Sequence, residues 1–276
     1  MTVHAEAGNL LRHWLPERRS EKSAMRDPIC LFGVNMHPLS MRETIAAIDE
    51  RMRASDFTQH VVVNVAKVVT MQKDAGLRAA VQACDIINID GAGVVVAGRM
   101  LGYEIPERVA GIDLFHELLR YSEHRGKTVF FLGAKPDVLN AAVLRIRSEY
   151  PKLRIVGWHH GYFWDDEAAT VEQIRESGAE LLFVGISSPL KEQFIDRWRE
   201  QLGVKFAMGV GGSFDVVAGK VLRAPLWMQR LGLEWFYRLA QEPRRMFWRY
   251  FSTNTVFAWM LLQGMIRRAV GRHPRA

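Results

Sequence analysis

Asp90 closes a short apolar run and is followed at once by Gly91 and Gly93. A carboxylate at such a strand end can take the proton of an attacking hydroxyl that lies within hydrogen-bond reach. The same residue type is a preferred helix N-cap, and a helix beginning near Ala92 would use Asp90 that way. Polar or glycine-rich residues also close the other apolar runs. They include Asn64, then Gly133-Ala134-Lys135, then Gly185-Ile186-Ser187-Ser188-Pro189, and last Gly209-Val210-Gly211-Gly212-Ser213-Phe214-Asp215. Glycine lets backbone amides approach phosphate oxygens, and a helix N-terminus behind it favours negative charge. Gly133, Gly211, Gly212 and Asp215 therefore read as a diphosphate-binding set, against the plainer reading that a tight strand-to-helix turn simply needs glycine. The spacing matches neither a G-x-G-x-x-G dinucleotide fingerprint nor a Walker A loop.

These residues belong to a regular alternation of short β-branched runs and longer helical segments that begins at Pro28. Strands are predicted at 29–34, 60–65, 86–89, 128–132, 154–157, 181–184 and 205–208. Ser40 followed by Glu43 ahead of an Ile-Ala-Ala-Ile run has the spacing of a capping box. Nearly all-apolar strands interleaved with helices predict an α/β fold, a Rossmann-like and mostly parallel sheet with helices on both faces. In such sheets ligands bind beyond the carboxyl ends of the strands, where the residues above fall. The two cysteines, Cys30 and Cys84, sit in apolar runs and read as buried free thiols of a reducing compartment.

The charge is segregated. Residues 223–276 hold ten arginines, no lysine and two acids, Glu234 and Glu242, while the whole chain of 276 residues carries a formal +7. The remainder is thus close to neutral, and the basic surface is local. Arginine interleaved with tryptophan, tyrosine, phenylalanine and leucine suits the boundary between water and lipid headgroups. The apolar stretch 256–266 is shorter than the about 20 residues a spanning helix needs. Residues 1–26 mix acids, arginines and histidine without the apolar core of an export signal. The expected organisation is a leader at 1–27, a Rossmann-like core at 28–218 and a basic, aromatic, helical membrane-associating appendage at 219–276. The expected location is cytoplasmic, peripheral on the inner face of the cell membrane. His159 and His160, adjacent on a loop, are expected to be solvated or structural, with pocket lining as the alternative.

The segments IDGAGVV (89–95), ERVAG (107–111), FFLGAKPDVL (130–139), HHGYF (159–163), SSPLKE (187–192), GVGGSFDVVAGKVLRAP (209–225) and LEWFYRLAQEPRR (233–245) occur in order along the chain. Together they resemble the successive signatures of the WecG/TagA/CpsF glycosyltransferase family, glycosyltransferase family 26. The resemblance implies an inverting transfer from a UDP-sugar donor to a polyprenyl-diphosphate-linked sugar acceptor at the cytoplasmic membrane surface. The product would feed exopolysaccharide, capsule, common antigen or teichoic acid synthesis. It implies Asp90 as catalytic base and Asn64 as a donor contact. The threonine of the family's Thr-x-Asn pattern is Val62 here, and the glutamine of its Pro-x-Gln-Glu element is Lys191, which is expected to add a point charge near the diphosphate or a donor carboxylate.

No Asp-x-Asp motif or His/Cys cluster with metal spacing occurs, so neither metal nor cofactor is expected, and arginines take the metal's place on the departing diphosphate. Arg108, Arg238, Arg245 and Arg249 are the candidates. Arg245 and Arg249, four apart, would share one helical face, with binding of anionic headgroups as the competing role. A homo-oligomer is a further partner that the resemblance suggests. Two other classes stay open: a UDP-sugar-binding or scaffold protein without catalysis, which Asp90→Asn would leave intact, and a nucleic-acid binder using the basic tail. The second is disfavoured because the core offers no recognition motif, and no nucleic-acid partner is expected.

Overall fold

The computed structural model describes residues 26–270, excepting the side chains of Arg245, Met246 and Arg249. Almost all of the expected leader lies outside the described residues. Among them, six strands form one parallel sheet: β3 (Thr58–Val63), β4 (Ile86–Ile89), β5 (Thr128–Gly133), β6 (Arg154–His159), β7 (Leu181–Gly185) and β8 (Phe206–Gly209). Their order across the sheet is β4-β3-β8-β7-β5-β6. The inner strands β5, β7 and β8 are almost wholly apolar because both faces are covered, whereas β3 and β4 bury His60 and Asn88 as a hydrogen-bonded pair at 2.8 Å and the edge strand β6 is only partly buried. Along β5, Val129 and Phe131 enter one core cluster while Phe130 and Leu132 enter another, as the two-residue side-chain period of a strand requires. The first cluster is built on edge-to-face aromatic packing, with the Phe115 ring 4.9 Å from Phe183 and the Phe131 ring 5.7 Å from Phe214.

Helices follow the strands as expected: α1 (Met41–Ala54), α2 (Val65–Met71), α3 (Ala75–Gln82), α4 (Ala92–Met100), α5 (Gly111–Arg125), α6 (Pro136–Glu149), α7 (Glu167–Glu176), α8 (Leu190–Trp198) and α9 (Ser213–Val217). The capping box at α1 is present, with the Ser40 side chain accepting from the Glu43 amide and the Glu43 carboxylate accepting from the Ser40 amide.

One predicted strand is corrected. Residues 29–34 form no single strand; β1 (Ile29–Leu31) and β2 (Val34–Met36) make an antiparallel hairpin apart from the main sheet. The chain reverses at Phe32 and Gly33, whose φ angles of 55° and 75° are those of a two-residue hairpin turn. Glycine takes that conformation freely, whereas phenylalanine does so at a cost. The Phe32 ring packs edge-on against Phe257 at 5.0 Å, and this contact offsets the cost. Cys84 is a buried free thiol, as expected, whereas Cys30 is half-exposed.

The C-terminal part forms α10 (Leu226–Arg230), α11 (Glu234–Gln241) and α12 (Pro243–Ala269). With 27 residues, α12 is about 40 Å long. One face of α12 docks on the core. Phe257 is buried there, with Val256, Met260 and Leu261 packed beside it, and the Arg268 guanidinium lies over Gly102. The rest stays open, with Trp248 71% and Trp259 60% exposed. No helix among the described residues is long and apolar enough to cross a membrane.

Beneath the centre of the sheet's carboxyl edge lies a buried ion pair, Lys67 Nζ to Glu192 Oε1 at 2.7 Å. Lys67 also donates to the Val62 carbonyl at 2.9 Å, so it ties α2 and α8 to the end of β3. Burial pushes the Glu192 carboxyl up, but Lys67 and Lys191 more than compensate and hold it below the ordinary carboxylate value. Removing one member leaves a charge buried without its nearest partner. Lys67→Met is expected to lower folding stability by about 3 kcal/mol. Urea denaturation checks this, and the loss should shrink at acid pH as Glu192 becomes protonated.

Candidate active site at the carboxyl ends of the central strands

Asp90 leaves β4 in register with the end of β3, its amide bonded to the Val63 carbonyl at 3.0 Å. It does not cap α4, whose N-cap is Gly91 and which has no side-chain cap bond. The carboxylate instead faces the start of α5, where the Gly111 amide favours its ionised form. A Cβ at 111 would crowd Val62 Cγ2 at 3.1 Å and would only touch Asp90 Oδ2, at 4.0 Å. The guanidinium of Arg108 is 4.0 Å away. Burial, the largest influence, pushes the Asp90 carboxyl up to about 6; Arg108 and the Gly111 amide oppose the rise, and Glu234 adds to it. A carboxylate so placed can hold and release a proton near neutrality, as a general base must.

Arg108 is also bound elsewhere. Its Nη1 lies 2.6 Å from Glu234 Oε2, at the first residue of α11. The other oxygen of Glu234 accepts from Arg223 Nε at 3.2 Å, and Arg223 in turn grips Asp113 with both terminal nitrogens at 2.6 and 2.9 Å. A chain of alternating charge thus runs from Asp90 through Arg108, Glu234 and Arg223 to Asp113, joining the core to the appendage. The side chains from Asp90 through Arg223 are each 22–25% exposed, so water screens them less than a surface pair.

The remaining candidates fall into groups. Asn64 caps α2, with Oδ1 accepting from the Lys67 amide at 3.0 Å, which leaves its amide hydrogens directed to solvent or ligand. It stands at the end of β3, between the ends of β4 and β8. Two strand spacings, about 10 Å, separate those flanking ends. Beyond β8, Gly211 takes φ 53° with open space where a Cβ would be, and Gly212 opens α9. A Cβ at Gly212 would be 3.8 Å from Asp215 Oδ2 and 3.9 Å from Arg238 Nη2. Arg238, from α11, is exposed, and no carboxylate among the described residues is ion-paired with it. The structure therefore brings Arg238 to the glycine turn after β8 and Arg108 to Asp90 after β4, on either side of β3.

Gly133 and Lys191 have structural partners that the sequence does not show. Gly133, with φ 126°, is required by the sheet, since a Cβ there would lie 2.6 Å from the Gly185 carbonyl carbon. Lys191 is not an open point charge. It is buried over Gly209 with Nζ 3.1 Å from Glu192 Oε1, so its charge serves the buried carboxylate. Arg245 and Arg249 lie on α12, but their side chains fall outside the described set. His159, at the end of β6, and His160, just after it, make local bonds, His159 Nδ1 with the His160 carbonyl and His160 Nδ1 accepting from the Tyr162 amide.

Sequence reasoning missed Lys67, Glu192, Glu234, Arg223 and Asp113. Arg223 and Glu234 stand within the KVLRAP and LEWFYR segments, but their partners lie 110 and 126 residues away in the chain.

The sequence matches the family described as Glycosyl transferase WecG/TagA/CpsF family over residues 29–271. It is 40% identical over 174 residues, 63% of this chain and 67% of the relative, to a Bacillus subtilis protein named N-acetylglucosaminyldiphosphoundecaprenol N-acetyl-beta-D-mannosaminyltransferase. A Bacillus spizizenii protein of the same name is 37% identical over 171 residues, 62% of this chain and 65% of that one. The match thus spans about two thirds of the length of these relatives. With its parallel sheet, its strand-end carboxylate and its arginine-bearing appendage in place, the chain belongs to the WecG/TagA/CpsF family of glycosyl transferases.

Proposed function

We propose that this chain transfers a sugar, with inversion, from a UDP-sugar to a polyprenyl-diphosphate-linked sugar in the synthesis of a cell-surface polysaccharide. The observation that carries the reading is Asp90, a strand-end carboxylate raised toward neutrality and set about two strand spacings from a glycine turn faced by the exposed Arg238. In the reaction the acceptor hydroxyl gives its proton to Asp90 as its oxygen attacks the anomeric carbon, and the bond to the nucleotide diphosphate breaks on the opposite side. Negative charge then grows on the leaving diphosphate. The Gly211-Gly212 amides and Arg238 are placed to receive it, Asn64 stands between base and leaving group, and Arg108 steadies the base.

Both relatives carry names that specify transfer of an N-acetylmannosaminyl group to an undecaprenyl-diphosphate-linked N-acetylglucosamine. The same acceptor class fits this chain. The donor belongs to the set of UDP-activated glucose, N-acetylmannosamine or its uronic acid, with Val62 in the position where the family pattern has threonine. The exposed aromatic side chains of α12, among basic residues, support a peripheral seat on the inner face of the cell membrane, where the acceptor's diphosphate lies.

If Asp90 is the base, kcat/KM rises through a limb near pH 6, because the deprotonated form is the active one. Asp90→Asn should lower kcat by about 10²-fold or more and erase that limb. Arg238→Ala should raise the donor KM or lower kcat by about tenfold, with UDP-sugar turnover as the readout. Turnover is expected to persist in EDTA, and a strict manganese requirement would overturn the arginine assignment. Trp248→Glu with Trp259→Glu should reduce co-sedimentation with anionic liposomes while leaving the far-ultraviolet circular dichroism unchanged.

A further inference from the structure

Glu234 has no assigned part in sugar transfer, yet it is placed where the appendage and the candidate base meet. Its two carboxylate oxygens serve different arginines: Oε2 lies 2.6 Å from Arg108 Nη1, and Oε1 lies 3.2 Å from Arg223 Nε. Arg108 is the cation beside Asp90, but Asp90 Oδ1 is 4.0 Å from the nitrogen that touches Glu234. Attraction falls with separation, so the nearer carboxylate takes most of that guanidinium's charge. Arg223 is fixed in turn by its paired bonds to Asp113, which makes the far side of Glu234 rigid.

We propose that Glu234 is a positioning residue through which the docked appendage decides how much of Arg108 is left for Asp90. The inference deepens the proposed transferase reading and rests on Asp90 as its base. With α11 docked, Arg108 is held between two carboxylates and Asp90 is only partly compensated. With α11 withdrawn, Arg108 turns wholly to Asp90, which then stays ionised to lower pH and accepts a proton less readily. Base strength at the strand end thereby reports whether the appendage is seated.

The other groups facing Asp90 do not provide this link. The Gly111 amide at the start of α5 and the Lys67 ammonium from α2 both favour the ionised carboxylate, and both belong to the core. Arg108, from the segment between α4 and α5, is core as well. Glu234 is the one group among those acting on Asp90 that comes from the appendage and favours the protonated form. Asp113, on α5, is turned to Arg223.

The test is the titration of the Asp90 side-chain carboxyl carbon by NMR in the full chain, assigned by its absence from the Asp90→Asn spectrum. Wild type should titrate near the raised value, about 6. Glu234→Gln, nearly the same shape without the charge, should lower the midpoint by about one unit. Glu234→Asp keeps the charge but is one methylene too short to reach both guanidinium groups, so it should lower the midpoint by less. That variant also stands in if Glu234→Gln does not fold. A midpoint unchanged or raised in these variants overturns the proposal. The acid limb of turnover should move with the NMR midpoint. A downward NMR shift in a chain that transfers no sugar would sink the transferase reading and keep this one.

Discussion

Arg108 cannot neutralise two carboxylates fully at once, and the candidate site is organised around that limit. A buried carboxylate with a dedicated arginine is a weak base, because the ion pair holds it deprotonated far below neutral pH. A buried carboxylate with no cation would be protonated at neutrality and equally useless for taking a proton. The arrangement lies between these extremes, with Asp90 at 4.0 Å from a guanidinium that is bonded to Glu234 at 2.6 Å. Divided compensation leaves the carboxyl near 6.

The same economy of charge operates one layer down. Lys67, Lys191 and Glu192 are buried together beneath the central strand ends, two cations around one anion. Their role is geometric: Lys67 holds the Val62 carbonyl at the close of β3 while its own amide donates to the Asn64 cap. The turn that carries Asn64 is therefore pinned from below by a charge and from the side by a helix start. Gly91 completes the fit, since a Cβ there would lie 3.1 Å from the Asn64 Cα.

Much of this was legible in the sequence, for physical reasons. Apolar runs that stop abruptly at Asp90, Asn64 or Gly209 mark strand ends, because a polar residue inside a strand buried on both faces needs a buried partner, as His60 and Asn88 supply each other at 2.8 Å. Ser40 and Glu43 are read correctly because a capping box is local. The hairpin at Phe32-Gly33 was not legible, since its left-handed turn places a phenylalanine where asparagine or aspartate is usual. The burial of Lys191 was not legible because a residue's charge does not say which way its side chain points, and its partner Glu192 was read only as part of a motif. Glu234 counted only as a diluting acid in a basic tail, because its meaning depends on Arg108, 126 residues earlier.

The contact between Phe32 and Phe257 closes a loop of more than two hundred residues between the two ends of the described chain. The hairpin is synthesised well before its aromatic cover, so a nascent chain carries a bare phenylalanine on a costly turn until α12 has emerged. Such a hairpin gains its support only after every strand of the main sheet has been made. Seating of the C-terminal helix is then a late step of folding, which keeps the long aromatic surface of that helix from settling before the sheet it leans on exists.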